Sequence, residues 1–433
     1  MQTPSKRWLL TSWGSRGDLH PFLALGRGLI ARGHQVTLVG HPEWGPETKT
    51  AGLRFVSTEE HPREDLIRKH PEIVSMKYGG LTSFRALVHR GIVPSFDYTM
   101  TALLEEAPKH DVMVTHHFVL PAEVVSDMTG IPRVTVSLAP GVIPSAYALP
   151  GPSFRRVRAR HGIVSRTVNR VIWSGGQLCA CVMVDPLVNR LRRKHGLAPT
   201  RNVVFGAHSS LLNLQLYSEH FASASPDWTE EKQFGGFCFY DPPDAPELAP
   251  EVKEFLSRGE SPVLFTLGST AVQNPGLFYP MAVEALEALG LRGILLYGPE
   301  ENRPARVPDT ILAVPYAPFG PLMPHVRAVV HQCGIGTLSH TLRAGVPAVA
   351  YPFAFDQPNN ARRLEALGVA EVILPRQRTV KHLRQALHRL LSGEAPARAR
   401  RLGEIIRAED GVGKACDVLE KLNFDGITQL ERN

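Results

Sequence analysis

The chain has 433 residues, too many for one ordinary core, so two domains of about 200 residues each are expected. Its 43% hydrophobic and 21% charged residues exclude a disordered or fibrous protein. The formal charge of +7 comes without aromatics interleaved among the arginines, and no nucleic-acid reader motif accompanies it. The apolar runs read as short of the roughly 18–20 residues a membrane span needs. No small-residue cleavage site follows the N-terminal run, so no signal peptide is expected. Cys179, Cys181, Cys238, Cys333 and Cys416 form no metal-ligand spacing, and their odd number fits free thiols in a reducing compartment. The expected location is the cytoplasm.

In chain order, strand-length apolar runs fall at Trp8–Trp13, Gln35–Val39, Arg54–Ser57, Asp111–Thr115 and Arg133–Ser137. They continue at Val263–Leu267, Gly293–Tyr297, Ile311–Pro315, Ala328–Gln332, Ala348–Phe353 and Glu371–Leu374. Each is continuous rather than alternating, as parallel strands buried on both faces are. Helical stretches lie between them. In "PFLALGRGLIARG", Pro21 suits a first turn and Gly33 a C-terminal cap. Strand–helix alternation in both halves predicts an α/β protein of two doubly wound, Rossmann-like domains facing across a cleft. The domains are placed at 1–238 and 261–433. Between them the proline-rich "FYDPPDAPELAPE" (239–251) marks a linker over 239–260. The last helix is left free to return to the first domain.

Gly14-Ser15-Arg16-Gly17-Asp18 sits between the first strand and the first helix. Its G-x-x-G spacing is not G-x-G-x-x-G, and the second strand ends "LVGHPEW" without the acid a dinucleotide site needs. Asp18 is then either a helix N-cap or a carboxylate at the helix mouth, facing the cleft.

His331-Gln332-Cys333-Gly334-Ile335-Gly336-Thr337 is a strand, a glycine-rich turn and a helix start. That order suits an anion, because exposed N–H groups and the helix dipole point the same way. No Walker lysine follows, so the loop reads as holding a diphosphate without ATP-type transfer, or as a tight turn with no ligand. Gly268-Ser269-Thr270, ending another strand, offers more N–H groups and hydroxyls. Asp356-Gln357 ends a third at the edge where parallel sheets bind ligands, and a carboxylate and an amide suit sugar hydroxyls. Tyr316 offers a flat face to a base, or is a packed aromatic.

These residues resemble a known family. "YAPFGPLMPH" and "HQCGIGTLSHTLRAGVPAVAYPFAFDQPNN" look like the C-terminal signature of nucleotide-sugar-dependent glycosyltransferases with the GT-B fold. "GSRGDLHPFLALGRGLIARGHQVTLVGHPEW" resembles the N-terminal signature of their bacterial and sterol branch. "PVLFTLGST" and "GLRGILLYG" extend the similarity toward the rhamnosyltransferases of rhamnolipid synthesis. The resemblance implies Asp18 as general base. It implies Ser269, Thr270, His331, Gln332, Gly334, Gly336 and Thr337 around the diphosphate. Tyr316 and Ala317 fall at the nucleobase, and Asp356 and Gln357 at the donor sugar. Where many members carry His-His or Ser-His before the glycines, this chain has His331-Gln332, which leaves open which of the two meets phosphate.

The implied reaction is an inverting, metal-independent transfer of a hexose, rhamnose or glucose, from a UDP- or dTDP-sugar. The nucleotide-sugar is a co-substrate, and no cofactor or metal is expected. The acceptor expected is lipophilic and hydroxylated: a hydroxy fatty-acid ester, a polyketide or a sterol. "HHFVLPAEVV" (116–125), with His116, His117 and Phe118, and the stretch 137–154 supply apolar side chains for its pocket. The arginines of 154–170 and 189–196 read as solvated helix faces, or as contacts to a carboxylate or to the inner face of an anionic membrane. Two other classes share the donor signature. A nucleotide-sugar epimerase would make no glycoside, and a catalytically silent donor-binding partner would lack the base.

Overall fold

The computed structural model describes residues 4–58, 64–74, 80–151, 162–206, 208–209, 211–242 and 247–422. Strands β1 (Arg7–Thr11), β2 (Gln35–Gly40), β3 (Arg54–Ser57), β4 (Val112–His116), β5 (Arg133–Ser137), β6 (Asn213–Gln215) and β7 (Lys232–Phe234) form one parallel sheet, ordered 3-2-1-4-5-6-7. A second parallel sheet contains β8 (Val263–Thr266), β9 (Gly293–Leu296), β10 (Ile311–Val314), β11 (Ala328–His331), β12 (Ala348–Ala350) and β13 (Ala370–Val372). Its order is 10-9-8-11-12-13, the same winding as the first six strands of the other sheet.

The period-2 alternation of side chains divides each strand between two cores. Trp8 and Leu10 enter the core on one side of the first sheet, and Leu9 the core on the other. In the second sheet Val263 and Phe265 face one way and Leu264 the other. Because both faces are covered, the strands read as unbroken apolar runs.

All eleven strands expected from the sequence are present. The extra pair, β6 and β7, has three residues each, and the buried Asn213 and Gln215 of β6 conceal it. Helix α1 (Arg16–Ala31) begins five residues before Pro21, because Ser15 and Asp18 close a capping box around its first turn. Gly33, at φ +88°, follows its end as expected.

Within 239–260, Leu248 and Val252 are buried in a core of the second domain, and residues 250–257 are helical. The second domain therefore starts ahead of residue 261. Helix α2 (Ile163–Lys194) runs for 32 residues. Contrary to the sequence reading, its best 18-residue window, with a mean hydropathy of 1.5, is long and apolar enough to cross a membrane. Its inner side chains Trp173, Ala180, Val184 and Val188 are buried in the first domain, so the helix lies along that domain.

Helices α3 (Ile335–Ala344) and α4 (Gln357–Ala366) begin at the ends of β11 and β12. The final described helix, α5 (Gly411–Glu420), packs on α1, with Ala415, Cys416 and Leu419 in the first domain's core. Arg32 holds it at 2.6 Å from both Asp417 and Glu420.

Candidate active site

In a doubly wound sheet the ligand crevice opens where the strand order reverses, beyond the carboxyl ends of the strands. Here the reversals lie between β1 and β4 and between β8 and β11. Asp18 and His116 sit at the first; Gly268, Gln332 and Gly334 sit at the second. The two crevices face each other. A Cβ built on Gly336 would lie 3.2 Å from the Gly17 Cα across the cleft. Ile335 and Phe355 of the second domain reach over to pack against the first domain's cores.

Asp18 is the third residue of α1 rather than its N-cap, which is Ser15. Its Oδ2 accepts from the Ser15 N–H at 2.7 Å and lies 3.1 Å from the Ser15 hydroxyl. A Cβ on Gly14 would strike that oxygen at 2.2 Å, so the carboxylate keeps its place only because position 14 is glycine, at φ +128°. Its Oδ1 is 3.9 Å from His116 Nε2. Burial lowers the His116 pKa to about 3, so the ring is neutral beside the carboxylate.

His117 is also buried and held well below the ordinary imidazole range, by burial and then by His116 and His208. Both of its ring nitrogens lack a hydrogen-bond partner. Phe118 lines a small chamber with Trp13, His41, Thr58, Ser95 and Thr99, above the ends of β1, β2 and β4. Trp13 meets Phe118 edge-on, with centroids 6.4 Å apart. Of the stretch 137–154, residues 137–151 do more than line a wall. Gly151 accepts from the Asn359 N–H at 3.1 Å, and Leu149 accepts from its amide at 3.0 Å, tying this loop to α4. Residues 152–154, and Arg155, Arg156, Arg158 and Arg160, lie outside the described residues.

At the second crevice Cys333 takes φ +67°, a conformation that costs a non-glycine residue roughly 1–3 kcal/mol. That turn brings Gly334 to the N-cap of α3, where no side chain caps the helix. His331 is fully buried, and its Nδ1 accepts from the Cys333 N–H at 3.0 Å. Its Nε2 and the Gln332 Oε1 are buried without partners. The Gln332 amide reaches Thr337 Oγ1 at 3.4 Å and packs against Gly268. Gln332, not His331, thus stands among the glycines at the loop mouth. The uncapped N–H groups at this helix start are free to donate to a ligand in the cleft. Ser269 is exposed and Thr270 half-buried on the short helix beyond β8.

Phe355 is the second strained residue, at φ +59°, and it delivers Asp356 to the cleft. Asp356 Oδ2 accepts from the Asn360 amide at 2.6 Å, and the same amide donates to the Cys333 carbonyl at 3.0 Å. Asn360, which the sequence reading passed over, therefore couples the two loops. It stands one turn after Asp356 in "DQPNN", a spacing that could have revealed it. Burial and then the nearby Asp18 charge push Asp356 up to about 7. Gln357 turns its Oε1 inward, accepting from the Phe353 and Ala354 N–H groups at 2.8 and 3.1 Å. Tyr316 is 64% exposed at the cleft rim beyond β10, and Ala317 beside it is buried. Among the described residues no three His, Cys, Asp or Glu side chains come together as a metal site.

The arrangement places a carboxylate on one domain opposite an uncapped helix start and a second carboxyl on the other. Residues 294–409 match the erythromycin biosynthesis protein CIII-like C-terminal domain, and residues 8–90 match the glycosyltransferase family 28 N-terminal domain. The chain is 33% identical to an O-mycaminosyltylonolide 6-deoxyallosyltransferase of Streptomyces fradiae, over 96% of this chain and 97% of that one. It is 26% identical to a sterol 3-beta-glucosyltransferase of Arabidopsis thaliana, over 94% of this chain and 64% of that one. Its fold matches the glycotransferase of kitacinnamycin at TM-score 0.73 and 23% identity, covering 97% of this chain and 100% of that one. It also matches a spinosyn rhamnosyltransferase complexed with thymidine diphosphate, at TM-score 0.62 and 19% identity, covering 96% and 100%.

Proposed function

Because the chain belongs to the GT-B glycosyltransferases, in the branch of the macrolide and sterol enzymes, we propose that it transfers a hexose with inversion. The donor is a dTDP- or UDP-sugar, and the acceptor is a hydroxyl on a lipophilic molecule. The observation that carries this reading is the placement of Asp18 opposite Asp356 and the uncapped start of α3. A base, a sugar-binding carboxyl and a diphosphate cradle then stand on facing walls of one cleft.

In this reading the acceptor oxygen attacks the sugar C1 from the face opposite the diphosphate. The new C1–O bond forms as the C1–O bond to phosphate breaks, and the hydroxyl proton passes to Asp18. The diphosphate leaves with the bonding pair. Its growing charge falls on the N–H groups around Gly334–Thr337 and on the Gln332 amide. Those groups do the work that a divalent cation does in other sugar transferases, so turnover proceeds without metal. Asp356 and the Gln357 amide nitrogen hold sugar hydroxyls, and Tyr316 stacks on the base. The deoxyhexosyl and glucosyl transfers of the relatives support a hexose donor, and the bound thymidine diphosphate of one structural neighbour supports dTDP. The macrolide and sterol acceptors of the relatives support an apolar one.

The test is a panel of UDP- and dTDP-sugars in excess EDTA, each with a macrolide aglycone, a sterol, a hydroxy fatty-acid ester, a soluble sugar and a peptide. The expected result is glycoside formation on an apolar acceptor with inverted anomeric configuration. Nucleotide release with an epimerised sugar and no glycoside would make the protein an epimerase. Activity that appears only after magnesium is restored would overturn metal independence.

The diphosphate cradle has its own test. Phosphate must approach the start of α3 closely, and Gly17 leaves no room for a branched side chain at position 336. Gly336→Val is expected to abolish nucleoside diphosphate binding in calorimetry while thermal unfolding stays cooperative. Unchanged affinity would remove the loop from the donor site.

A further inference from the structure

We propose that the outward face of α2 is an interfacial helix that seats the protein on an anionic lipid bilayer. Large apolar side chains stand in solvent along this one helix: Ile163 at 75% exposure, Val164 at 78%, Val171 at 66%, Leu178 at 66% and Val182 at 68%. At 100° per residue, Val164, Val171, Leu178 and Val182 fall within about 40° of one another, a single stripe. From Val164 to Val182 it is about 27 Å long at 1.5 Å per residue. A monomeric soluble surface rarely carries so continuous an apolar strip.

The charges on the helix are segregated. Between Val171 and Val184 there is no ionisable side chain except cysteine. The helix's one acid, Asp185, is turned inward and accepts from the Asn202 and Val203 N–H groups at 2.8 and 3.0 Å. Exposed Arg170 stands on the flank of the strip beside Val171, and exposed Arg190, Arg193 and Lys194 lie beyond its C-terminal end. An apolar strip with exposed cations on its flank and beyond its C-terminal end, and no exposed acid on the helix, matches a layer whose surface is anionic and whose interior is hydrocarbon. A second copy paired in parallel along this helix fits poorly, since Arg190 and Arg193 would meet their own counterparts.

The helix lies on such a surface and does not cross it. Its inner side is fastened along its length: Asn169 donates to the Ala146 carbonyl at 2.9 Å and Trp173 to the Ala148 carbonyl at 2.8 Å. Further on, Asn189 donates to the Thr200 carbonyl at 2.8 Å. The first two bonds, with Arg166 donating to the Tyr147 hydroxyl at 3.0 Å, grip the loop that continues to Gly151. At Gly151 that loop meets the backbone of Asp356. The lipid-facing helix therefore holds a loop that touches the second domain at Asp356 and Asn359. The use of this placement, access to acceptors dissolved in the bilayer, rests on the lipophilic acceptor proposed above; the binding itself does not.

The experiment is co-sedimentation of the full chain with vesicles of phosphatidylglycerol and phosphatidylcholine, and with phosphatidylcholine alone. The comparison variants are Leu178→Asp combined with Val182→Asp, and Arg190→Glu combined with Arg193→Glu. Cys179, an exposed free thiol on this face, carries an environment-sensitive dye. The expected result is binding to the anionic vesicles, a blue shift of the dye, and at least a tenfold weaker affinity in both variants. Turnover of a water-dispersed acceptor should match wild type in both. Equal binding by wild type and variants, or a dye that stays in a polar environment, would overturn the proposal. So would dimerisation in solution that the apolar variant abolishes, which would give this face to a second copy. Glycosylation of a detergent-dispersed apolar acceptor without vesicle binding would sink the membrane inference and leave the enzyme reading standing. Vesicle binding with no apolar acceptor turned over would do the reverse.

Discussion

Asp18→Asn is expected to lower kcat by at least about 100-fold, the usual scale for losing a general base, while nucleoside diphosphate affinity stays within about twofold. The structure favours this substitution over alanine. Asp18 also closes the capping box of α1 through the Ser15 N–H. An asparagine oxygen still accepts that bond, so the helix start survives and only the proton-accepting capacity goes. Neutral His116, 3.9 Å away, is too deeply buried to take the proton readily. The measurement is kcat and KM beside calorimetric diphosphate affinity on the same preparation. Near wild-type turnover would remove Asp18 from the mechanism.

Asp356→Asn is expected to separate stability from activity. Burial, with the Asp18 charge, raises the Asp356 pKa to about 7 in the folded protein, against about 3.9 in an unfolded chain. Between those values the native state holds a proton that the unfolded state has lost, so stability falls as pH rises through that window. Above pH 7 the cost is complete, on the order of a few kcal/mol at 1.36 kcal/mol per unit. The asparagine variant never bears this cost. Its Tm should exceed wild type by several degrees at pH 8 and match it near pH 4, and on the proposed sugar contact its kcat/KM should fall because one carboxyl oxygen becomes an amide. Equal Tm offsets at both pH values would mean that Asp356 titrates like an exposed acid.

Much of the fold was legible because parallel strands buried on both faces leave unbroken apolar runs, and eleven of them stand where the runs predicted. β6 escaped because its polar residues are buried inside the sheet; Asn213 Oδ1, for example, accepts from the Ser137 hydroxyl at 3.0 Å. That is a tertiary circumstance with no local signal. α2 was read as a pair of basic segments, because its apolar residues lie on both faces and show little periodicity. At the site, Asp18 and the glycine loop were visible from their strand–turn–helix setting. Which of His331 and Gln332 stands at the loop mouth was not. It depends on the left-handed turn at Cys333, a residue type with no preference for that conformation. The inward turn of the Gln357 carbonyl and the bridging by Asn360 likewise depend on loops folding over one another.

The return of α5 to the first domain constrains how the cleft can move. The chain passes between the domains twice, once after β7 and once ahead of α5. The two passages touch: a Cβ on Gly411 would lie 2.1 Å from the Phe237 carbonyl oxygen, and one on Gly236 would lie 3.1 Å from the Gly411 Cα. Nearby, the Ser218 hydroxyl donates to Glu409 at 2.6 Å. Two abutting crossings make a single pivot, which neither domain can leave by sliding without stretching one of them. Any opening of the cleft would then be a rotation, its angle limited where the glycine backbones of Gly236 and Gly411 meet, far along the chain from Asp18 and Asp356.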